Sequence, residues 1–515
     1  MSEKKSQLKI GVILNYLNMG LGNLIPIFYT PIMLALLGQD EYGLYKLSSS
    51  LTSYLSLISL GIGSAVTRYL IKARTEEGKE AEEKILGLFM AIFQVVAIIT
   101  FIVGVVLVFN LDIWYEDSLT AFELGRMRIL VFLMVCNMAL GFSMSPYVSV
   151  VTAHEKFLFL QCMNILSTCV APILNLIVLF LGYASIGMAV SSLTVGIVSR
   201  FFYYIYVRKC ICLKPRYRRL PVYLIKEILI FSFWIFLSNI GAQLCNATDI
   251  AMIGTVPALA TTGVAVYNIG ATFNTIVTSL ATGVSSILTP RANLMVFQGT
   301  SKDELSDMVI KIGRLQAYIV ALIVFGFITF GQPFIHFYAG SGFKDSYLVA
   351  VFMMIPGAIP LVQSMCLSII IAENRHRFRS IVLLGINILN VIGTWALLHI
   401  WGVIGAALMT GISLLIGNGL VMNWYYWKKI KLNIPRFWRE VSSIFVIPLI
   451  MTIVFMSVGL LVNWYNIWRL LIGIIIYTVI FGILNWLFVM NIYEKNLLLS
   501  PMKNIYFKFK YKCKR

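Results

Sequence analysis

The chain has 515 residues, of which 59% are hydrophobic and only 12% are charged, and its mean hydropathy is +0.86. Soluble domains carry about 25% charged residues, so this composition excludes an ordinary soluble protein and indicates an integral membrane protein. The net charge of +19 would suit a nucleic-acid-binding protein, but the basic residues are distributed as in a polytopic membrane protein.

Fourteen apolar segments follow one another along the chain, each about 20 residues long or longer and so able to cross a bilayer as an α-helix. No cleavable signal peptide precedes the first segment. The sequence therefore predicts an all-α, polytopic membrane protein with 14 transmembrane helices. The predicted spans are 10–37, 44–70, 85–109, 128–152, 157–181, 186–207, 228–256, 261–289, 315–338, 348–372, 381–399, 402–427, 442–463 and 468–490.

Polar side chains recur on one face of predicted helices 1, 2, 7 and 8. Helix 1 contributes asparagines, helix 2 serines and threonines, and helix 7 amides together with the carboxyl group of Asp249. Helix 8 carries a stripe with alternating steps of four and three residues, which is typical of one helix face. The residues predicted to line a cavity are Asn15, Asn18, Asn23, Ser56, Asn239, Gln243, Asn246, Asn268, Thr272, Thr275 and Ser279.

Each polar feature also has a structural interpretation. Small hydroxyl residues occur where membrane helices pack closely, so helices 2 and 8 fit either a packing seam or a wet cavity. Asp249 fits either a proton or Na⁺ coupling site or a structural hydrogen bond, because a carboxyl group in an apolar span needs a partner. Arg68 and Arg291, at the predicted cytoplasmic ends of helices 2 and 8, fit either phosphate binding or ordinary flanking charge. Arg200, at the inner end of helix 6, is a further candidate.

The sequence repeats weakly after about 220 residues, with 163–166 resembling 386–389 and 186–189 resembling 404–407. Each copy has an even number of spans, so the copies have the same orientation, as in transporters built from parallel repeats. The predicted domains are a six-helix bundle over 1–209, a second over 210–430, two appended helices over 431–490 and a basic cytoplasmic tail over 491–515.

Basic residues are strongly asymmetric across the predicted membrane. Of the 41 Lys and Arg, only Lys46, Arg126, Arg128, Lys344 and Arg469 fall on the predicted outer side. The positive-inside rule therefore places both termini in the cytoplasm, and the basic side is expected to contact anionic lipids rather than nucleic acid. The sequence has no nucleotide-binding GxxxxGK[ST] motif and no metal-ligand spacing of Cys or His, so no cofactor or metal is expected.

Several short segments occur in the order found in a known transporter family. They are Glu41-Tyr42-Gly43-Leu44-Tyr45, Leu60-Gly61-Ile62-Gly63 with Arg68, Ala153-His154-Glu155-Lys156-Phe157 and Gly182-Tyr183-Ala184-Ser185-Ile186-Gly187. Over roughly 10–430 the chain resembles bacterial polysaccharide (O-antigen type) flippases of the multidrug/oligosaccharidyl-lipid/polysaccharide exporter superfamily. The resemblance implies two bundles in a V around a central cavity lined by helices 1, 2, 7 and 8, and a lipid-linked oligosaccharide, usually on undecaprenyl pyrophosphate, as cargo.

We therefore predict a flippase, not an enzyme, that moves a lipid-linked oligosaccharide across the bacterial cytoplasmic membrane for surface polysaccharide synthesis. It is expected to be a monomer, with H⁺ or Na⁺ coupling open and with a polysaccharide polymerase and glycosyltransferases as partners. One alternative is a cation-coupled multidrug exporter, for which only Asp249 fits. A membrane glycosyltransferase or polymerase is disfavoured by the short outer loop 110–127, and a non-transporting assembly component would not need the cavity.

If the two arginines hold the phosphate of the cargo, Arg68→Ala and Arg291→Ala should each reduce transport, because each removes a forked, charge-assisted donor. Transport should be measured in cells, with expression of each variant checked by immunoblot. Near wild-type transport in both variants and in the double variant would reject a role in phosphate binding.

Overall fold

The computed structural model describes residues 2–59, 61–218, 220–221, 223–373 and 375–496, and all regular secondary structure in these ranges is helical. This confirms the predicted all-α, polytopic class. The helices are α1 (Ser2–Leu37), α2 (Gln39–Ser53), α3 (Ile62–Glu76), α4 (Lys79–Phe109), α5 (Leu111–Tyr115), α6 (Ala121–Ala153), α7 (Phe157–Phe180), α8 (Ala184–Tyr206), α9 (Leu224–Gly254), α10 (Ala260–Phe297), α11 (Lys302–Ala339), α12 (Ser346–Val362), α13 (Ser364–Ala372), α14 (His376–Leu414), α15 (Asn423–Lys428), α16 (Ile434–Gly459) and α17 (Ile467–Phe488).

Within the described ranges, ten helices are long and apolar enough to cross a membrane, or eleven if the bent pair α12 and α13 forms one span. The predicted number of 14 therefore stays a prediction. One of the ten covers 52 residues, Arg377–Lys428, and contains Gly402 with φ 60° and ψ −143°. This is a conformation that glycine adopts readily, and it divides the long segment into two helical stretches, as the predicted spans 381–399 and 402–427 did.

The predicted second helix is interrupted. Instead of one helix over 44–70, the chain forms α2, a 3₁₀ segment over Tyr54–Ser59, and α3. Ser53 and Ser59 each donate a hydroxyl hydrogen bond to a carbonyl three residues earlier, and such bonds compete with regular helix geometry. Gly61, with φ 69°, then precedes α3 in the left-handed region.

Helix contacts divide the chain into two compact units, Met1–Asn268 with Asn387–Ala406, and Ile269–Ile386 with Ala407–Arg515. These units do not follow the boundaries predicted from the internal repeat, which stay a prediction. In the first unit α4 packs along α6 and α1 along α7. The outer face of α4 exposes an apolar stripe at helical spacing, as expected for a lipid-facing surface: Val95, Ile98, Ile102 and Val106.

In the second unit, α16 packs on α11. The approach is close because α11 has a glycine at the contact: a Cβ on Gly313 would lie 2.4 Å from Cε2 of Phe437. Nearby, the buried Arg314 guanidinium donates to Glu494 Oε1 at 2.6 Å and to the Val489 carbonyl at 3.0 Å. The predicted appended helices are thus held to α11 by the packing of α16 and by a hydrogen bond to the carbonyl that follows α17, and the ion pair fixes the segment after α17 to the same helix.

Burial alone would raise the pKa of the Glu494 carboxyl, but its hydrogen bonds to Arg314 and the Arg314 charge lower this pKa below its ordinary value. A carboxyl group with a lowered pKa stabilises the folded state fully above its unfolded pKa of about 4.3. This contribution is lost as the pH falls through the lower pKa of the folded state.

Glu494→Gln should lower the free energy of unfolding by about 3–5 kcal/mol, because it leaves a buried arginine without its charge partner. The measurement is denaturant unfolding in detergent, and the difference from wild type should shrink below about pH 4. Arg436→Gln is the control, since its pair with Asp307 is half-exposed and should contribute about 0–1 kcal/mol. Equal destabilisation by the two substitutions would contradict the assignment.

Candidate functional site

One face of α2 is hydrogen-bonded to α9. The Ser50 hydroxyl donates to the Ala247 carbonyl at 2.8 Å, and the Gln243 amide donates to the Ser53 hydroxyl. Gln243 was predicted to line a cavity, and the structure gives it a protein partner instead of an open position. These bonds satisfy polar groups that would otherwise be unpaired between two apolar helices.

Two tyrosines extend the same contact. The Tyr54 and Thr248 hydroxyls lie 2.7 Å apart, and the Tyr115 hydroxyl donates to the Ala251 carbonyl at 3.2 Å. Tyr115 ends α5, in the loop predicted to be on the outer side. Together, these four contacts form a polar seam along α9. They join α9 to α2, to the 3₁₀ segment that contains Tyr54 and to the loop before α6.

The seam is tight because glycines occur where the helices cross. A Cβ on Gly43 of α2 would lie 1.9 Å from the Thr261 carbonyl oxygen, and one on Gly254 of α9 would lie 2.7 Å from Cδ1 of Leu47. At Gly43 the neighbouring atom belongs to the backbone, so a side chain there could be accommodated only if backbone moved. Gly43 is thus required for the approach of α2 to the start of α10.

The residues that flank Gly43 carry polar contacts of their own. Glu41 pairs with Arg126 at 2.9 Å, and the Tyr42 hydroxyl donates to Asn268 Oδ1 at 2.9 Å. The ammonium group of Lys46 lies 5.4 Å from the centre of the Tyr42 ring, within cation–π range. Asn268 is one of the predicted cavity residues. Lys46 was predicted only to lie on the outer side, although a lysine inside an apolar span is itself a functional signal.

The other face of α2 points away from α9. Ser49 and Thr52 of α2 and Ser56 of the 3₁₀ segment that follows it line a cavity of about 550 Å³ together with α6 and α8. Asn137 and Arg200 belong to the same cavity wall. Ser56 is therefore brought together with polar residues of the N-terminal helices, in an open cavity whose described lining residues belong to the first unit.

Among the predicted site residues whose side chains are described, Asp249 is the most buried, with a relative exposure of 1%. The Tyr267 hydroxyl donates to its Oδ2, and the Thr394 hydroxyl donates to its Oδ1 at 3.3 Å. The expectation that this carboxyl needs a partner is confirmed. Both contacts come from hydroxyl groups of neighbouring helices, and this geometry is compatible with both interpretations of Asp249.

The asparagines of α1 do not converge on one point. Asn15 is exposed and Asn23 is half-buried, while Asn18 accepts a hydrogen bond from the Thr168 hydroxyl of α7 at 3.0 Å. Asn18 therefore contributes to packing within the N-terminal helices. Arg68, on α3, is exposed.

The predicted stripe of helix 8 lies on α10. Thr272 and Ser279 are half-buried, and Thr275 is exposed and donates to the carbonyl of Ala271 in its own helix. A hydroxyl bonded in this way does not need another helix as a partner, so the exposed Thr275 side chain carries no unpaired donor. The side chains of three further predicted site residues lie outside the described residues: Asn239, Asn246 and Arg291.

A family model described as "Polysaccharide biosynthesis protein" matches residues 8–292. No curated protein matches the sequence significantly. Among solved structures, the chain is similar to the lipid II flippase MurJ in an inward closed conformation, with a TM-score of 0.72 and 16% identity over 93% of this chain and 100% of that one.

Two multidrug transporters show the same fold with lower similarity. An inward-facing multidrug resistance MATE family transporter of the MOP superfamily has a TM-score of 0.61 and 12% identity, over 82% of this chain and 95% of that one. The Vibrio cholerae MATE transporter VcmN in its bent form has a TM-score of 0.53 and 16% identity, over 81% and 96%. The family match covers more than half of the sequence and confirms the relationship predicted from its motifs. The chain belongs to the polysaccharide biosynthesis protein family, on the polytopic helical fold that MurJ and the MATE transporters share.

Proposed function

We propose that this protein is a flippase that moves a lipid-linked oligosaccharide across the bacterial cytoplasmic membrane by alternating access. The observation that carries the proposal is the double polar face of α2, together with membership of a polysaccharide biosynthesis family. One face forms a polar seam with α9, and the other lines a hydroxyl-rich cavity. Hydroxyl and amide groups are suited to sugar hydroxyls, because both can donate and accept hydrogen bonds.

The polar seam gives alternating access a physical basis. Its bonds join α2 and the 3₁₀ segment after it to α9, and a second conformation would have to exchange these bonds for bonds to water or cargo. Cargo can bias such an exchange only if it binds one conformation more tightly than the other. The orientation we propose, with both termini cytoplasmic, follows from the distribution of Lys and Arg.

The carrier lipid in this proposal is of the undecaprenyl pyrophosphate type, and the oligosaccharide is a repeat unit of a surface polysaccharide. Glycosyltransferases that assemble the unit and a polymerase that consumes it would be the functional partners. Anionic lipids would contact the basic cytoplasmic side. The protein would act as a monomer.

A cation-coupled multidrug exporter is the second candidate, favoured by the buried carboxyl group of Asp249. Apolar organic cations require an aromatic and acidic cavity. The cavity beside α2 does have aromatic groups, Tyr45 and Phe142, but the charged residue among its described lining residues is the cation Arg200, which favours a polar or anionic cargo.

Expression of this protein in a strain that lacks its own polysaccharide flippase should restore surface polysaccharide. The measurement is glycan analysis of the cell surface and of the lipid-linked pool, which should fall as flipping resumes. Gly43→Leu is a matched non-functional variant, because its side chain would displace α2 from Thr261. Drug resistance conferred by the wild-type protein without restored polysaccharide would favour the multidrug exporter.

If Asp249 couples transport to a cation gradient, Asp249→Asn should abolish any dependence of transport on pH or Na⁺, since the amide keeps the shape but cannot be ionised. Initial transport rates in membrane vesicles at several pH values and Na⁺ concentrations provide the measurement. Tyr267→Phe is the control, because it removes one donor to Asp249 and keeps the carboxyl group. A dependence that persists unchanged in Asp249→Asn would reject coupling at this residue.

A further inference from the structure

A charged side chain lies well inside α8. Arg200 is six residues before the end of the helix at Tyr206, which corresponds to about 9 Å along the helix axis. Arginines inside membrane helices are costly and are usually paired with an anion or lie in a water-filled cavity. Within the described part of the chain, Nη1 of Arg200 is buried and has no hydrogen-bond partner.

Two glycines make room for this guanidinium group. A Cβ on Gly141 of α6 would lie 2.9 Å from Nη2 of Arg200, and a Cβ on Gly196 of α8 would lie 3.0 Å from Nη1. The Oδ1 atom of Asn137, one turn from Gly141, is also buried with no hydrogen-bond partner among the described residues. The space beside the two glycines, which we call the notch, therefore contains a donor, the guanidinium group, and an acceptor, the Asn137 oxygen, that both lack a partner. Buried polar groups without a partner indicate a missing ligand or water.

Arg200 lies between two spaces of opposite character. On one side is the cavity of about 550 Å³, which includes the hydroxyl groups of Ser49, Ser56, Ser145 and Ser192.

On the other side is an apolar groove of about 300 Å³ between α6 and α8. Besides Arg200, its walls are Leu140, Met144, Ile197, Phe201 and Tyr204. Leu140, Ile197 and Phe201 are exposed, so the groove opens on the surface of the helices, where a membrane protein meets lipid.

This order of surfaces matches an amphiphile with an anionic group between its apolar chain and its polar head. An arginine fork binds phosphate oxygens in a bidentate manner, the groove suits a hydrocarbon chain, and the hydroxyl-lined cavity suits a sugar. We propose that α6 and α8 form a lateral binding site for a prenyl phosphate or pyrophosphate lipid, with its phosphate on Arg200 and its chain in the apolar groove.

The proposal rests on the proposed function, because it assigns a place to the carrier lipid of the same cargo. It adds a site that lies within the N-terminal helices. Arg68 does not line it. The position of the groove implies that a lipid reaches Arg200 sideways from the bilayer, between α6 and α8.

The first experiment measures binding of undecaprenyl phosphate to the purified full-length protein by native mass spectrometry. Arg200→Gln should weaken binding by about tenfold or more, because it removes charge-assisted hydrogen bonds. Arg200→Lys should be intermediate, since an ammonium group keeps the charge but not the fork. Lys209→Gln is the matched control, as it removes an equal charge from the exposed end of the same helical segment. Equal losses in Arg200→Gln and Lys209→Gln, or no loss in either, would overturn the proposal.

The second experiment separates a lipid from a free anion. Ile197→Trp should fill the groove and weaken undecaprenyl phosphate binding, but should leave any binding of inorganic pyrophosphate unchanged. Undecaprenol, which lacks the phosphate, should bind at least about tenfold more weakly to the wild-type protein. Equal binding of phosphatidylglycerol, or no effect of Ile197→Trp on the prenyl phosphate, would overturn the assignment to the carrier lipid.

Folding and function are checked independently. Thermal unfolding of Arg200→Gln and Arg200→Lys identifies a variant that fails to fold, and Arg200→Lys then carries the test. Complementation by the wild-type protein tests the proposed function without reference to Arg200. Wild-type complementation with unchanged lipid binding in Arg200→Gln would reject the lateral site alone, whereas Arg200-dependent binding without complementation would reject the proposed function alone.

Discussion

A polar group on a membrane helix has to find its hydrogen-bond partner within the protein or in a wet cavity, because hydrocarbon offers none. In this protein that constraint is met where glycine lets helices touch. Gly43 brings α2 against the Thr261 carbonyl of α10, and Gly254 brings α9 against Leu47 of α2 along the polar seam. The bond from Ser50 to the Ala247 carbonyl at 2.8 Å requires the helices to be this close.

The same helix has different roles on its two sides. Ser50 and Ser53 use their hydroxyl groups in the seam, while Ser49 and Ser56 face the cavity next to α6 and α8. One side of this helix is bonded to protein and the other borders a cavity. A ligand that binds in the cavity can therefore shift the position of the whole helix, if it binds more tightly in a position where the bonds of the seam are broken. The neighbouring Arg200 adds a charge to the cavity side, so an anionic ligand would act on the same helix group.

Much of this organisation could be predicted from the sequence. The length of the apolar segments predicted the helices, and the spacing of polar residues predicted which of them carry polar faces. The direction of each polar side chain was harder to predict, because a stripe calculated at 100° per residue assumes an uninterrupted helix. Ser56 lies in the 3₁₀ segment that follows α2, so its direction could not be obtained by counting from Ser49.

The environment of Arg200 depends on residues that are far apart in the sequence. Its notch requires Gly141 on α6 and Gly196 on α8 to meet at one level, and no periodicity within a single helix records that pairing. The motif around Gly43 shows the converse case. Glu41, Tyr42 and Gly43 supported the family resemblance as a sequence motif. In the structure each makes a contact with another helix: Glu41 an ion pair, Tyr42 a hydrogen bond and Gly43 a close backbone approach.

Three hydroxyl groups of α10 can act only as hydrogen-bond acceptors, which the composition of the helix alone does not show. Thr275, Thr278 and Thr282 each donate their hydrogen to a carbonyl four residues earlier in the same helix. Their oxygens keep lone pairs but have no hydrogen left to offer. A molecule that touches these three oxygens meets acceptors, spaced about one helical turn apart. A ligand has to supply the hydrogen of every bond that it makes to them, so this row of oxygens selects for donor groups and not for acceptors.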